Sequence, residues 1–264
     1  MSLVIYFLVF VFGLIIGSFL NVVILRYHSG QSLAGRSHCL SCGANLSWFE
    51  LFPVVSFLIQ GGRCRECHCK ISWQYPLVEL LTGFLFVLVF FSLGAGTSLI
   101  WIIYYLAVVS LLVAITVYDL KHKIIPDLFV FLVGLLALLK PWLIFLEKKG
   151  LAFVISDYKT ALLGGGIAGL VFFLLWFFSA GRWLGFGDVK LAFAVGLLLG
   201  PSKVWTAMVL AVWLGAIVGL ALIALSKTKL FGFNKYFTIK SELPFAPFIV
   251  LGVILNLIFQ INVF

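Results

Sequence analysis

Along the chain, long apolar runs alternate with short polar stretches, and one polar stretch is much longer than the rest. Leu3 to Leu25 is a single apolar run with no Lys or Arg before it. It is too long for a signal-peptide core and lacks the basic start, so it predicts a retained first span. Residues 26–76 break the pattern: they are polar, turn-rich and cysteine-bearing, and predict a small extramembrane domain. Further apolar runs at 77–94, 97–118, 124–146, 160–180, 189–200, 203–226 and 244–262 predict more spans. The fold class is therefore an all-α polytopic membrane protein with about eight transmembrane helices. It divides into a first helix (1–25), a loop domain (26–76) and a transmembrane domain (77–264). No internal repeat is evident.

Composition agrees. The 264 residues are 64% hydrophobic and 10% charged with mean hydropathy +1.22, which excludes a soluble domain. An outer-membrane barrel is excluded as well, because its strands alternate apolar with polar residues. The net charge of +9 does not indicate a nucleic-acid partner, since the basic residues sit in short loops between apolar runs and set orientation. With the first span running from outside to inside, thirteen of the 18 Lys and Arg fall in inner loops and five, Lys140, Lys148, Lys149, Lys159 and Lys203, in outer ones. Both termini are then expected outside, and the cysteine domain in the cytoplasm.

Against this background the acids stand out. Gly185-Phe186-Gly187-Asp188-Val189-Lys190 sets a carboxylate between glycines and a lysine at the mouth of an apolar run. A charge near the bilayer core costs at least ~2.5–3.5 kcal/mol on insertion scales, so an acid there points to function. Gly185 and Gly187 let the backbone turn and another segment approach. Asp119 lies at the inner end of the 97–118 run, with Asp127 one short loop later after Ile125-Pro126. The predicted topology puts Asp119 and Asp188 on one side of the membrane although 69 positions separate them. Two carboxylates in one poorly hydrated site share a proton, which suits one as base on water and the other as acid on a peptide carbonyl. From Asp188 to Gly200 there are 13 residues, about 20 Å of helix against a hydrocarbon layer ~30 Å thick. A site below the membrane surface, reached by water from the cytoplasm, is expected. The competing reading makes both acids ordinary boundary residues.

Cys39-x-x-Cys42 and Cys64-x-x-Cys67 supply four thiolates at spacings that fit a tetrahedral zinc. The rival, a disulfide framework, conflicts with a domain on the reducing side of the membrane. Cys69 is a fifth thiol, and His38 and His68 neighbour the ligands. About fifty residues have little core of their own, so the metal would be structural.

Taken together, these elements resemble a type 4 prepilin peptidase, one of the membrane aspartic peptidases of the Gly-x-Gly-Asp type. Gly17-Ser18-Phe19-Leu20-Asn21-Val22-Val23 resembles the family's opening. Gly62-Arg63-Cys64-Arg65, Ile71-Ser72 and Tyr75-Pro76-Leu77-Val78-Glu79 resemble the end of its zinc loop and the next span. Asp119 with Ile125-Pro126-Asp127 fits its first aspartate motif, and Gly185 to Lys190 its second. Pro244-Phe245-Ala246-Pro247-Phe248 resembles its last block, where Gly often replaces Ala246. Gly-x-Gly-Asp and Tyr-Asp elements also occur in presenilin-like proteases; the zinc loop and the Pro-Asp spacing favour the prepilin enzymes.

The resemblance implies Asp119 and Asp188 as the catalytic pair, supported by Asp127, in a bacterial cytoplasmic membrane. It implies cleavage after a Gly that ends the basic leader of type IV prepilins or pseudopilins, on the cytoplasmic side of the substrate's apolar helix. It further implies methylation of the new N-terminal amine with S-adenosylmethionine. Glu79 and Asn21 are the candidates for the methyl-donor site, as polar groups in or beside spans next to the loop domain; inter-helix hydrogen bonding is the alternative for both. A peptidase without methylation and a non-enzymatic scaffold or proton-coupled transporter are the other two readings. A basic leader meeting a basic face needs local acids such as Glu50, Glu66, Asp127 or Glu242, or recognition through its apolar helix.

Overall fold

The computed structural model describes residues 3–27, 32, 34–94, 96–147, 151–227 and 243–259. Lys148, Lys149, Lys229, Lys235, Lys240 and Glu242 lie outside the described residues. The elements are α1 (Leu3–Arg26), a 3-10 turn (Trp48–Leu51), α2 (Val55–Ile59), α3 (Gln74–Leu93), α4 (Leu99–His122), α5 (Asp127–Leu146), α6 (Leu151–Phe178), α7 (Phe186–Lys227) and α8 (Ala246–Phe259). The described residues contain no strand, only two isolated β-bridges in the cysteine region. Among the described residues, six segments are long and apolar enough to cross a membrane: α1, α3, α4, α5, Val154–Phe178 of α6 and Pro201–Ser226 of α7. These helices carry apolar residues all round, which is the mark of a span rather than of an amphipathic surface helix.

The other two expected spans are shorter. α8 has 14 residues, and the stretch from Phe186 to Gly200 is the first part of α7. Gly200 breaks α7 by adopting φ 78°, ψ 175°, a conformation open almost only to glycine. Pro201 follows, with no N–H to continue the ladder.

The chain falls into two compact units, Met1–Val117 and Tyr118–Phe264; the boundary lies inside α4. In the first unit α1 packs along α3. A Cβ at Gly17 would lie 2.7 Å from the Glu79 Cα and one at Gly13 2.7 Å from the Gly83 Cα, so the helix backbones approach as small-residue packing in membranes allows. At the end of α1, Arg26 donates to the carbonyls of Ser32 (2.8 Å), Gly35 (3.0 Å) and Arg36 (2.9 Å). One buried guanidinium thus ties the start of the loop domain to the helix that precedes it.

In the second unit α7 is the hub, packed on α5, α6 and α8. A Cβ at Gly164 would fall on the Gly196 carbonyl, and one at Gly165 would lie 2.8 Å from the Leu197 side chain. Gly164 and Gly165, in the middle of α6, therefore form a helix-packing surface against α7.

Candidate active site and metal centre

Asp119 occupies the last turn of α4 and Asp188 the first turn of α7. Both belong to the second unit, and their residues are 4% and 8% exposed. The Gly185 N–H donates to Asp188 Oδ2 at 3.2 Å, and the Asp188 N–H returns to the Gly185 carbonyl at 3.1 Å. This closed turn places the carboxylate at a helix N-terminus, where the macrodipole favours an anion. Asp119 receives the main-chain N–H of Ala246, the first residue of α8. The remaining oxygens, Asp119 Oδ2 and Asp188 Oδ1, are buried without a partner among the described residues, and Asp188 lies within reach of the charge of Asp119. Each acid thus has one oxygen pinned by main chain and one free. Buried polar atoms left this way call for an explanation.

The flanking glycines divide their roles. Gly187 packs against Ile125, and a Cβ there would lie 3.1 Å from the Ile125 Cβ; close approach explains this glycine. Gly185 shows neither positive φ nor crowding, its added Cβ meeting only Asp188 Oδ2 at 3.5 Å. Its contribution is its N–H. Asp127, at the start of α5, is engaged elsewhere: Lys190 Nζ donates to its Oδ1 at 2.7 Å, with the Asp127 side chain 72% exposed. Lys190 Nζ also lies 5.3 Å above the Phe186 ring. Of the three acids, only Asp119 and Asp188 are buried, and Asp127 and Lys190 tie the two aspartate motifs together beside them.

Ala246 is the residue that reasoning from side-chain chemistry misses. It is fully buried and acts through a main-chain donor, so residue type carries no signal; only the resemblance of the Pro244–Phe248 block pointed to it.

The cysteine region is built twice on one plan. The Cys39 N–H donates to the Ala44 carbonyl and the Gly43 N–H to Cys39; the Cys64 N–H donates to the Cys69 carbonyl and the His68 N–H to Cys64, all at 2.9–3.0 Å. The β-bridges His38↔Asn45 and Arg63↔Lys70 close the two halves, and the left-handed residues Gly43 (φ 74°) and His68 (φ 56°) correspond. Each position of the second half lies 25 after its counterpart, Cys64 after Cys39 and Cys67 after Cys42. This short repeat is too brief to stand out in the sequence.

All five cysteines are free. The Sγ atoms of Cys39, Cys64, Cys67 and Cys69 lie within 4.8 Å of one another, with Cys39 3.9 Å from Cys67 and 3.6 Å from Cys69. A tetrahedral zinc with bonds of ~2.3 Å separates its sulfurs by roughly 3.8 Å, so the thiol cluster fits a zinc site. Cys42, expected as a ligand, is outside that tightest set, although its Sγ interacts with those of Cys39, Cys67 and Cys64 and receives the Ala44 N–H. The N–H groups of Cys42 and Ser41 hold the Cys39 thiol down at about 6, the thiolate form that a metal requires. His38 and His68 are not in the cluster.

Glu79 and Asn21 are both buried in the first unit. Glu79 Oε2 accepts the Val54 N–H at 2.7 Å, and its carboxylate also bonds Ser18. Asn21 Nδ2 donates to the Tyr75 carbonyl at 3.1 Å. Glu79 lines a cavity of about 350 Å³ with Ser18, Arg26, Phe57, Lys70 and Tyr75; Asn21 does not.

Comparison with known proteins accounts for both regions. Residues 11–93 match the Bacterial Peptidase A24 N-terminal domain, and residues 106–220 match the Type IV leader peptidase family. A prepilin leader peptidase/N-methyltransferase of Bacillus subtilis is 31% identical over 249 residues, covering 94% of this chain and 92% of that protein. A type 4 prepilin-like proteins leader peptide-processing enzyme of Escherichia coli is 35% identical over 282 residues, covering 94% and 91%. A prepilin leader peptidase/N-methyltransferase of Myxococcus xanthus is 36% identical over 221 residues; there the match covers 81% of this chain but 62% of the relative. No solved structure matches. With relatives of this similarity along nearly its whole length, the chain belongs to the type IV leader peptidase family.

Proposed function

We propose that this protein is a membrane aspartic endopeptidase that removes the basic leader of type IV prepilin-like substrates, and that it methylates the new N-terminal residue. The observation that carries the peptidase reading is the pair of buried acids, Asp119 and Asp188, each with one oxygen anchored and one free. One carboxylate takes a proton from water as the oxygen adds to the scissile carbonyl carbon, while the other carboxyl gives its proton to the carbonyl oxygen. Collapse of the resulting diol breaks the C–N bond: the leaving amine takes the proton that the first carboxylate took from water, and a diol hydroxyl returns its proton to the second. The anchoring N–H groups of Gly185 and Ala246 hold the carboxylates in place through this cycle. Asp127 and Lys190 position the second motif rather than exchange protons.

The sidedness argued from the basic loops puts this site, the thiol cluster and the substrate's leader on the cytoplasmic side of the inner membrane, with both termini outside. The correspondence of the two halves supports Cys39, Cys42, Cys64 and Cys67 as the zinc ligands, because Cys69 stands where the first half has Ala44. The metal would cross-link a region with little core of its own. S-adenosylmethionine supplies an electrophilic methyl group on a sulfonium; the protein must hold it and present the substrate amine. Incubation of purified protein with a prepilin and S-adenosylmethionine tests both activities: a product cut after Gly and carrying an N-methyl group is expected. An uncut prepilin overturns the peptidase reading, and a cut but unmethylated product overturns the second activity alone.

A further inference from the structure

The cavity of the first unit has no part in the cleavage just described, and its walls are chemically mixed. On one side is the Glu79 carboxylate, 6% exposed, fixed by the Val54 N–H and by Ser18. Val54 holds φ 61°, ψ −49° to deliver that N–H, a costly conformation for a β-branched residue. Phe57 and Tyr75 offer aromatic surface, Ser56 and Ser72 hydroxyls, and Lys70 an ammonium on an exposed residue. Arg26 also lines the cavity, yet its guanidinium donates to three loop carbonyls. At about 350 Å³ the space falls within the size range of small-molecule sites, which pair apolar walls with a few placed polar groups.

We infer that this cavity, with Glu79 as its anionic anchor, is the binding site of S-adenosylmethionine. The inference rests on the methyl-donor use proposed above. The ligand's own chemistry selects the site: its sulfonium and ammonium need a carboxylate that is already desolvated and held in place, its adenine an aromatic wall, and its carboxylate a cation at the rim. Glu79, Phe57 with Tyr75, and Lys70 supply these in turn. The site needs no glycine-rich nucleotide fold; it is assembled where the loop domain folds back on α1 and α3, which Arg26 and the Glu79–Val54 bond secure.

The test uses purified full-length protein with its zinc. Equilibrium binding of tritiated S-adenosylmethionine is measured for the wild type, Glu79→Gln and Ser56→Trp, with bound zinc and the melting transition reporting the fold. Glu79→Gln is expected to weaken binding about tenfold or more, the scale of one lost charge-assisted contact. It should weaken S-adenosylhomocysteine less, because that ligand lacks the sulfonium charge. Ser56→Trp, which fills the cavity while keeping the Glu79 carboxylate, is expected to abolish binding of both. Ultraviolet cross-linking of the tritiated donor to the wild type, followed by peptide mapping, decides the matter without any variant; label is expected between Ser37 and Glu79. Label confined to residues 118–264, or folded variants that bind as the wild type does, overturns the site while leaving the methyltransferase reading intact. A wild type that binds no donor overturns both.

Discussion

Lys190 reaches Asp127 at 2.7 Å across 63 positions of sequence, joining the start of α7 to the start of α5. Asp188, two residues before Lys190, belongs to the proposed catalytic pair; Asp127 follows Asp119 by eight positions. The ion pair thus latches the start of α7, which carries Asp188, to the start of α5, eight positions after Asp119. Both partners are substantially exposed, so its contribution to stability is small, ~0.2–1 kcal/mol. Asp127→Ala and Lys190→Ala should each slow prepilin cleavage by no more than about tenfold. The double exchange Asp127→Lys with Lys190→Asp should recover part of the loss. Cleavage rates of the three variants check this, and a loss in Asp127→Ala as deep as in the buried pair would make Asp127 a member of the catalytic machinery.

Asp119→Asn and Asp188→Asn should each lower kcat about 100- to 10,000-fold, the range of a positioned acid or base. Folding should survive, because the amide oxygen still accepts the N–H of Ala246 or Gly185. Single-turnover cleavage in detergent reads the effect. Retained cutting by either variant would remove that residue from the mechanism.

A pair that works with one shared proton loses activity in both directions of pH. Falling pH protonates the remaining carboxylate and removes the base; rising pH strips the shared proton and removes the acid. The rate should therefore trace a bell whose limbs belong to the pair rather than to either residue. A profile with a single limb would contradict the sharing.

Cys42→Ser should release zinc, whereas Cys69→Ala should retain it, since Cys69 corresponds to Ala44 in the other half of the repeat. Metal content after dialysis, measured per chain, gives the answer. The opposite pattern would favour the tightest thiol set, with Cys69 as fourth ligand. Chelation of the wild type should unfold the loop domain, as expected where metal binding and folding are linked.

Gly187→Val should impair cleavage through crowding of Ile125, whose Cβ already lies 3.1 Å from the position of an added Cβ. Overpacking of this kind costs ~1–3 kcal/mol. Ile125→Ala in the same chain should restore part of the rate and of the melting temperature. Gly185→Ala should do far less, since its added Cβ makes only ordinary contact.

The long apolar helices, the clustered cysteines and the two aspartate motifs were legible from residue order alone, because each depends on local composition: apolar length, charge-free runs, paired Cys-x-x-Cys, an acid at the end of an apolar segment. The break in α7 was legible too, since Gly200-Pro201 forbids a continuous ladder whatever surrounds it. Other features depend on atoms far apart in sequence or on main chain, and no residue type announces them. The Ala246 N–H on Asp119 and the Gly185 N–H on Asp188 are contributions of backbone. The separation of Asp127 from the buried pair rests on which acid a lysine 63 positions away can reach. Cys69 is drawn into the thiol cluster by the fold of its knuckle, not by its spacing. Glu79 and Asn21 look alike in sequence as buried polar groups near the loop domain, yet only Glu79 lines the cavity, because the side that a helical residue presents is decided by what packs around the helix. Sequence determines where along the chain charges and thiols fall; tertiary packing decides which of their atoms remain free to react.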